Sequence, residues 1–324
     1  MRIKKSSLEF KIILGVLGVL IFLSLVGKGL TMMLVGRRLE PYSPAGEFVC
    51  LEDQGCLHVL TEGEGQPVVL LHGYGGSIYD WKLSILDELK RDYQIVALDR
   101  PGFGFSTTDS RGVTVFDQVD MIRDALHSLG IENPILVGHS RGGNIALAYG
   151  LLFPEEIKGI VTLAAAPYGG KMGWYSRVLN TPLLGPVLAH TWFVPLGEQG
   201  VKAGLEEAFG PESSPPPDYL DAYTAFELRP GQLLAHAFDQ VHGREVIPWM
   251  RERYQDLQVP VVILHSADDQ NVPYEQALLL HMAVPRSRLL ELSGVGHEIM
   301  FNRPDLVSHG LRMLENFPGT DSDQ

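Results

Sequence analysis

Ile135-Leu136-Val137-Gly138-His139-Ser140-Arg141-Gly142-Gly143-Asn144-Ile145-Ala146-Leu147-Ala148-Tyr149 decides how this 324-residue chain folds. Ile135 to Val137 is a short apolar run of the kind that forms a buried strand, and Gly142 to Phe153 shows helical spacing of apolar residues. Between them stands Gly138-His139-Ser140-Arg141-Gly142, a Gly-x-Ser-x-Gly sequence. The five residues alone carry little weight, because a serine between glycines is most often part of a loop. Set between a buried strand and a helix, they describe a nucleophile elbow. Ser140 then sits on a sharp, strained turn, with glycines two residues away on either side so that helix and neighbouring strand approach closely.

A second glycine turn, His72-Gly73-Tyr74-Gly75-Gly76, follows the apolar run Val68 to Leu71. It lacks the Lys-Ser/Thr of a phosphate-binding loop and the downstream acid of a dinucleotide site, so no nucleotide cofactor is expected. Further out, short β-rich runs alternate with helical ones, the pattern of a mostly parallel sheet covered on both faces. Glu47 to Leu51 and Leu57 to Leu60 read as an opening hairpin. Val68 to Leu71, Gln94 to Leu98, Ile135 to Val137, Gly159 to Leu163, Val261 to Leu264 and Arg288 to Leu292 read as buried strands, bringing the total to eight. Helical spacing marks Tyr79 to Lys90, Val115 to Leu129, Gly142 to Phe153, Tyr274 to Ala283 and Asp305 to Asn316. From about Tyr168 to Glu245 the alternation gives way to helical segments rich in proline and aromatic residues, interrupted at Pro215-Pro216-Pro217. The expected division is 1–40 as an N-terminal segment and linker, 41–167 and 246–324 as core, and 168–245 as a helical insertion between two core strands.

Together with Asp99-Arg100-Pro101-Gly102-Phe103-Gly104-Phe105-Ser106, these motifs resemble the α/β-hydrolase superfamily, in which an Asp-x-Pro-Gly-x-Gly-x-Ser stretch follows the fourth strand. The resemblance spans residues 47 to 317. It implies an α/β chain with the α/β-hydrolase fold, an eight-stranded mostly parallel sheet flanked by helices, with the insertion as a cap over the site. It further implies that the backbone amides of Tyr74 and Arg141 receive the oxyanion, and that an acid and then a histidine follow the nucleophile along the chain. Ser266-Ala267-Asp268-Asp269-Gln270-Asn271-Val272-Pro273 is similar to the family's Gly-x-x-Asp-x-x-Val-Pro, with Ser266 at the usual Gly. Asp268 is the rival acid. The offset to Val272-Pro273 favours Asp269 and leaves Asp268 as a loop-capping carboxylate. Among eleven histidines, His297 in Gly294-Val295-Gly296-His297-Glu298 follows the last strand, where the family's catalytic histidine sits. His72 and His139 belong to the two motif turns, and His265 ends a strand beside the acid.

A serine hydroxyl is nearly un-ionised at neutral pH. His297 is therefore expected to take its proton as it attacks, with Asp269 fixing the imidazole tautomer and stabilising the imidazolium. A Ser nucleophile sets the chain apart from the dehalogenase and epoxide-hydrolase branches, which use Asp at that position. The side chain of Arg141 is expected in solvent or in a salt bridge. Trp174, Tyr175, Trp192, Phe193, Phe209, Tyr219, Tyr223, Phe226 and Phe238 of the cap either line an apolar cleft or simply pack. The expected substrate is a small-molecule or lipid ester, apolar in character, such as a monoacylglycerol. Thioester hydrolysis, carbon-carbon bond hydrolysis and cofactor-free perhydrolysis are the enzymatic alternatives. A non-catalytic binding module on the same fold is the alternative outside enzymes, and the complete set of Ser140, Asp269 and His297 speaks against it.

Ile12 to Gly27 is free of charge and preceded by Arg2, Lys4, Lys5 and Lys11. At 1.5 Å per residue this run reaches roughly 24 Å, short of the ~30 Å hydrocarbon core, but Lys11 and Lys28 can snorkel and Gly29 to Gly36 continues apolar. A single-pass membrane anchor is expected, with a cleaved signal peptide, and hence a secreted or periplasmic protein, as the alternative; no Ala-x-Ala processing site follows. The basic residues before the run favour a cytoplasmic N-terminus and an outward-facing catalytic domain. The net charge of −13 argues against nucleic acid as a partner. Cys50 and Cys56 flank the turn-like Asp53-Gln54-Gly55, where they either pair across a hairpin or remain two free thiols. Neither cysteine has metal-ligand spacing, and no metal is expected.

Overall fold

The computed structural model of the protein describes residues 2–108, 112–211 and 213–318. Its strands are β1 (Glu47–Leu51), β2 (Gly55–Glu62), β3 (Gln66–Leu71), β4 (Tyr93–Leu98), β5 (Ile135–His139), β6 (Gly159–Leu163), β7 (Val261–Ser266) and β8 (Ser287–Leu292). They form one sheet in the order β1-β2-β4-β3-β5-β6-β7-β8. β1 and β2 pair antiparallel, as do β2 and β4, and every other pair is parallel. The expected eight-stranded, mostly parallel sheet is therefore present. β5 and β7 are buried along their whole length, which is why they read as unbroken apolar runs rather than alternating ones.

The helices of the first half are α1 (Arg2–Leu39), α2 (Ile78–Lys82), α3 (Leu86–Leu89), α4 (Val115–Ser128) and α5 (Arg141–Leu152). Between β6 and β7 come α6 (Trp174–Leu179), α7 (Leu184–Leu188), α8 (Val194–Leu196), α9 (Glu198–Phe209), α10 (Pro217–Glu227), α11 (Pro230–His242) and α12 (Ile247–Arg251), with a π-helical turn at Ala189–Phe193 linking α7 to α8. α13 (Glu275–Ala283), α14 (Ile299–Asn302) and α15 (Pro304–Glu315) complete the chain. Side-chain alternation divides the core between the two sheet faces: Val69, Leu71 and Leu136 pack with Val119, Ile122 and Ile145, while Val68, Leu70 and Ile135 pack with Trp81, Leu86 and Leu311. Each fully buried Val, Leu or Ile stabilises the fold by about 1.5–3 kcal/mol before chain entropy is set against it.

One expectation needs correction. The helix read as Tyr79 to Lys90 is two short helices, α2 and α3. Ser77 and Asp80 form a capping box that starts α2, and the Ser84 hydroxyl donates to the carbonyls of Asp80 and Trp81 at its end, a local bond that competes with helix continuation. The apolar segment read as 12–27 belongs to a single helix of 38 residues. Its N-terminal part exposes apolar side chains from Phe10 through Leu23, whereas Leu34 and Val35 pack against the cluster around Leu179, Val194 and Leu233. Gly27 makes the approach possible, since a Cβ there would lie 2.8 Å from the Thr191 carbonyl oxygen. Thr31 Oγ1 donates to that same carbonyl at 3.2 Å, and Arg38 meets Glu198 at 2.6 Å. Of the two options for the cysteines, the structure has the disulfide: Cys50 and Cys56 face each other in the β1–β2 register and are joined.

Candidate active site

Ser140 lies between β5 and α5 with φ 49° and ψ −114°, a conformation that costs an L-residue on the order of 1–3 kcal/mol. The surroundings hold it there. Its amide donates to Leu163 O at 2.8 Å, and its carbonyl accepts from Gly143 N at 3.1 Å. A Cβ on Gly138 would strike the Gly142 backbone, and one on Gly142 would strike the Leu71 carbonyl, so the sharp turn requires both glycines. The second glycine turn touches the serine: a Cβ on Gly73 would lie 3.2 Å from Ser140 Cβ. Tyr74 follows on that turn, and Arg141 is the residue after the serine.

His297 and Asp269, 28 residues apart in sequence, meet through His297 Nδ1 and Asp269 Oδ2 at 2.7 Å. The second Asp269 oxygen accepts from the amides of Asn271 at 2.8 Å and Val272 at 3.0 Å. Burial alone would raise this carboxyl; the charge of His297 and the hydrogen bonds outweigh it and hold the group far below the usual carboxylate range. Burial likewise favours neutral His297, but the Asp269 charge and hydrogen bond prevail and raise its pKa above 6.5. Asp268 turns the other way, accepting from Gly294 N at 2.7 Å. His265 sits 2.9 Å from Val272 O and 3.4 Å from Asp269 Oδ2. His139 packs its ring 4.8 Å from that of His297, and burial depresses its pKa to about 3.

Arg141 is the residue whose side chain sequence alone left without a task. It is buried, and Nε and Nη2 donate to Asp239 Oδ1 at 3.0 and 2.6 Å. Arg100 donates to the other Asp239 oxygen at 3.0 Å, to Gln118 Oε1 at 2.7 Å, and to the carbonyls of His72 and Gly73 at 3.0 Å each. One carboxylate on α11 thus ties the serine turn to the glycine turn. Nothing in the local sequence marks Asp239, which is 98 and 139 residues from its partners.

Ser140 and His297 both border a cavity of about 700 Å³. Of the aromatic residues expected to line a cleft or pack, Trp174, Tyr175, Trp192, Phe193 and Tyr223 line it. Phe209, Tyr219 and Phe226 are instead buried in packing contacts, and Phe238 stacks on His242 at 4.2 Å. Three buried acid–base residues of the cavity wall are not marked by the sequence: Glu227, His236 and Glu298. Burial raises the Glu298 carboxyl to about 7. Its place beside His297 was the one local signal. Among the described residues no cluster of three or more His, Cys, Asp or Glu is arranged to hold a metal ion.

A family model described as alpha/beta hydrolase fold matches residues 66–304. YugF, an uncharacterized hydrolase of Bacillus subtilis, is 26% identical over 258 residues, 75% of this chain and 87% of the relative. The 2-hydroxy-6-oxo-2,4-heptadienoate hydrolase of Pseudomonas putida is 24% identical over 253 residues, 74% of this chain and 86% of the relative. Among solved structures, a bacterial membrane phospholipase A superposes with a TM-score of 0.66 at 20% identity, covering 97% of this chain and 99% of that one. At that identity the likeness is one of fold.

Proposed function

Because the chain belongs to the alpha/beta hydrolase fold family, we propose that it is a serine hydrolase of carboxylic esters, acting on apolar or lipidic substrates at a membrane. The observation that carries the reading is a strained serine and an Asp-paired histidine on the wall of one cavity. Residues 1–40 serve as anchor and linker, 41–167 and 246–324 as catalytic core, and 168–245 as the cap that shapes the cavity.

In this reading Ser140 Oγ attacks the ester carbonyl while His297 takes its proton through Nε2, the nitrogen not committed to Asp269. The carbonyl oxygen becomes an oxyanion, received by the backbone amides of Tyr74 and Arg141. Collapse of the tetrahedral intermediate breaks the ester C–O bond, and the imidazolium gives its proton to the departing alkoxide. Water then attacks the acyl-enzyme with the same histidine as base, releasing the carboxylic acid and restoring Ser140. No cofactor takes part.

Acid should silence this chemistry. Imidazolium cannot accept the serine proton, so kcat/KM is expected to fall as pH drops through the His297 pKa, with a midpoint above 6.5. Asp269→Asn removes the charge that raises this pKa, and the acid limb should move to lower pH while turnover drops. Glu298, His139 and His265 also face this pair. An acid limb left in place by Asp269→Asn would reassign it to Glu298, whose carboxyl burial raises to about 7.

Three features favour a lipidic substrate. α1 contains a segment, Glu9–Leu39, long and apolar enough to cross a membrane. Between β6 and β7 the chain exposes Trp174 (73%) and Leu196 (72%), both of which also line the cavity, and Leu183 (84%) in the turn before α7. One of the similar solved structures is a membrane phospholipase A. The disulfide fits an oxidising, extracytoplasmic compartment. Leu183→Asp combined with Val187→Asp, neither of them in the cavity wall, is expected to slow hydrolysis of vesicle-embedded monoacylglycerol by ~10-fold or more, from the lost burial of two aliphatic side chains. Soluble short-chain esters should be hydrolysed as before. The overall test is a chain-length series of p-nitrophenyl and glyceryl esters: rates rising with acyl length support the lipid reading, and a preference for acetyl esters refutes it.

A further inference from the structure

Within the largely apolar cavity wall lies a closely joined, buried polar pair that the hydrolytic steps do not use. Glu227, the last residue of α10, and His236, in the middle of α11, meet through Oε1 and Nδ1 at 2.6 Å. Both side chains are more than nine-tenths buried, and both border the cavity that holds Ser140. Their other polar atoms, Glu227 Oε2 and His236 Nε2, are buried without any hydrogen-bond partner. Leaving a buried acceptor unpaired costs about 1–3 kcal/mol, more for a charged group, so two adjacent cases call for an occupant.

The pair abuts the turn assigned to the oxyanion. The His236 ring stacks on Tyr74 at 5.0 Å with an interplanar angle of 13°. A Cβ on Gly75 would lie 2.8 Å from Glu227 Oε2. Tyr223, on the same wall, donates its hydroxyl to Tyr74 O at 3.1 Å. A group held by Glu227 and His236 would therefore sit beside the turn whose Tyr74 amide is proposed to receive the oxyanion.

The free atoms define what that group is. With Nδ1–H donating to Glu227, Nε2 carries a lone pair and Oε2 accepts only, so the occupant must donate hydrogen bonds. If His236 is instead doubly protonated, the pair offers one donor and one acceptor. A hydroxyl meets the second arrangement in full, donating to Glu227 Oε2 while accepting from His236 Nε2–H, and in the first it donates to one of the two acceptors. An ammonium would have to be stripped of water in a wall made largely of aromatic and aliphatic side chains, a far larger cost than burying a neutral hydroxyl. Resting on the proposed ester hydrolysis, we infer that Glu227 and His236 form a subsite for a hydroxyl group carried by the substrate close to its scissile ester.

The test compares kcat/KM for the methyl, glyceryl and 2-aminoethyl esters of one fatty acid and for the methyl ester of the corresponding 3-hydroxy acid, in the full chain and in Glu227→Gln and His236→Phe. The phenylalanine keeps the ring that stacks on Tyr74 and removes both nitrogens. The native chain should prefer a hydroxyl-bearing ester over the plain methyl ester by about 10- to 100-fold, the range expected when a buried polar site is left unpaired by the lesser substrate. The glyceryl and hydroxyacyl arms tell on which side of the ester the hydroxyl lies. Either variant should bring the ratio close to one. Equal rates for hydroxyl-bearing and plain esters, first place for the aminoethyl ester, or a preference that survives both variants would overturn the subsite. The ratio of Kd values for the glyceryl and methyl esters, measured in Ser140→Ala with and without Glu227→Gln, reads the same preference without turnover. Should no ester be cleaved, the hydrolase reading falls while the Kd ratio still decides the subsite.

Discussion

Ester turnover is expected to fall by ~10⁴- to 10⁶-fold in Ser140→Ala, and by a similar factor in His297→Ala, with little further loss when both are combined. The reason is that in the proposed mechanism the two side chains act in one step. A serine without its base is a weak nucleophile, and a base without its serine has only water to activate. What remains is the rate that binding and the two backbone amides supply by themselves. Asp269→Asn should cost less, because it leaves nucleophile and base in place and disturbs the tautomer. The carboxylate's two amide bonds, from Asn271 and Val272, hold it in position independently of the histidine. Normal turnover in Asp269→Asn with loss in Asp268→Asn would move the acid by one residue.

The second large effect concerns stability. Asp239→Ala is expected to destabilise the fold by about 3–5 kcal/mol, since it leaves two guanidinium groups, Arg100 and Arg141, buried near each other without their common counter-charge. Burial works against an ionised Asp239, yet the charges of Arg141 and Arg100 bring its pKa down to about 2. With the folded value below the unfolded one, the stabilisation is complete above the ordinary carboxylate range and is lost as pH falls through about 2. Urea unfolding at neutral pH measures the effect. A loss of less than about 1 kcal/mol, the worth of an ordinary hydrogen bond, would show that the carbonyls of His72, Gly73 and Gly243 satisfy the arginines unaided. Because Asp239 joins the elbow to the glycine turn, the variant should also lose turnover under conditions where it remains folded.

Asp239 illustrates why part of this molecule was legible in its sequence and part was not. The strands are readable because burial on both sheet faces forces unbroken apolar runs, as in Val68 to Leu71 and Val261 to Leu264. The serine turn is readable because its geometry is local: the glycines it needs lie within two residues of Ser140. Asp269 and His297 are singled out in the sequence by their offsets in motifs and their order in the chain, and the structure brings the two side chains to 2.7 Å. The arginine-carboxylate network and the Glu227–His236 pair depend on how α10 and α11 dock, and no local pattern encodes that. The same holds for the aromatic residues, where helical spacing cannot tell Trp192, which faces the cavity, from Phe226, which is packed. The break after α2 was missed because a single hydroxyl, Ser84, outweighs an apolar periodicity that would otherwise continue.

The central claim is that Ser140 is an activated nucleophile, and covalent labelling tests it most directly. Incubated with a fluorophosphonate probe, the folded full-length protein should be labelled at Ser140 and at no other residue, with labelling abolished in Ser140→Ala and strongly slowed in His297→Ala. Folded native protein that resists the probe, or carries the label on a different residue, would contradict that claim.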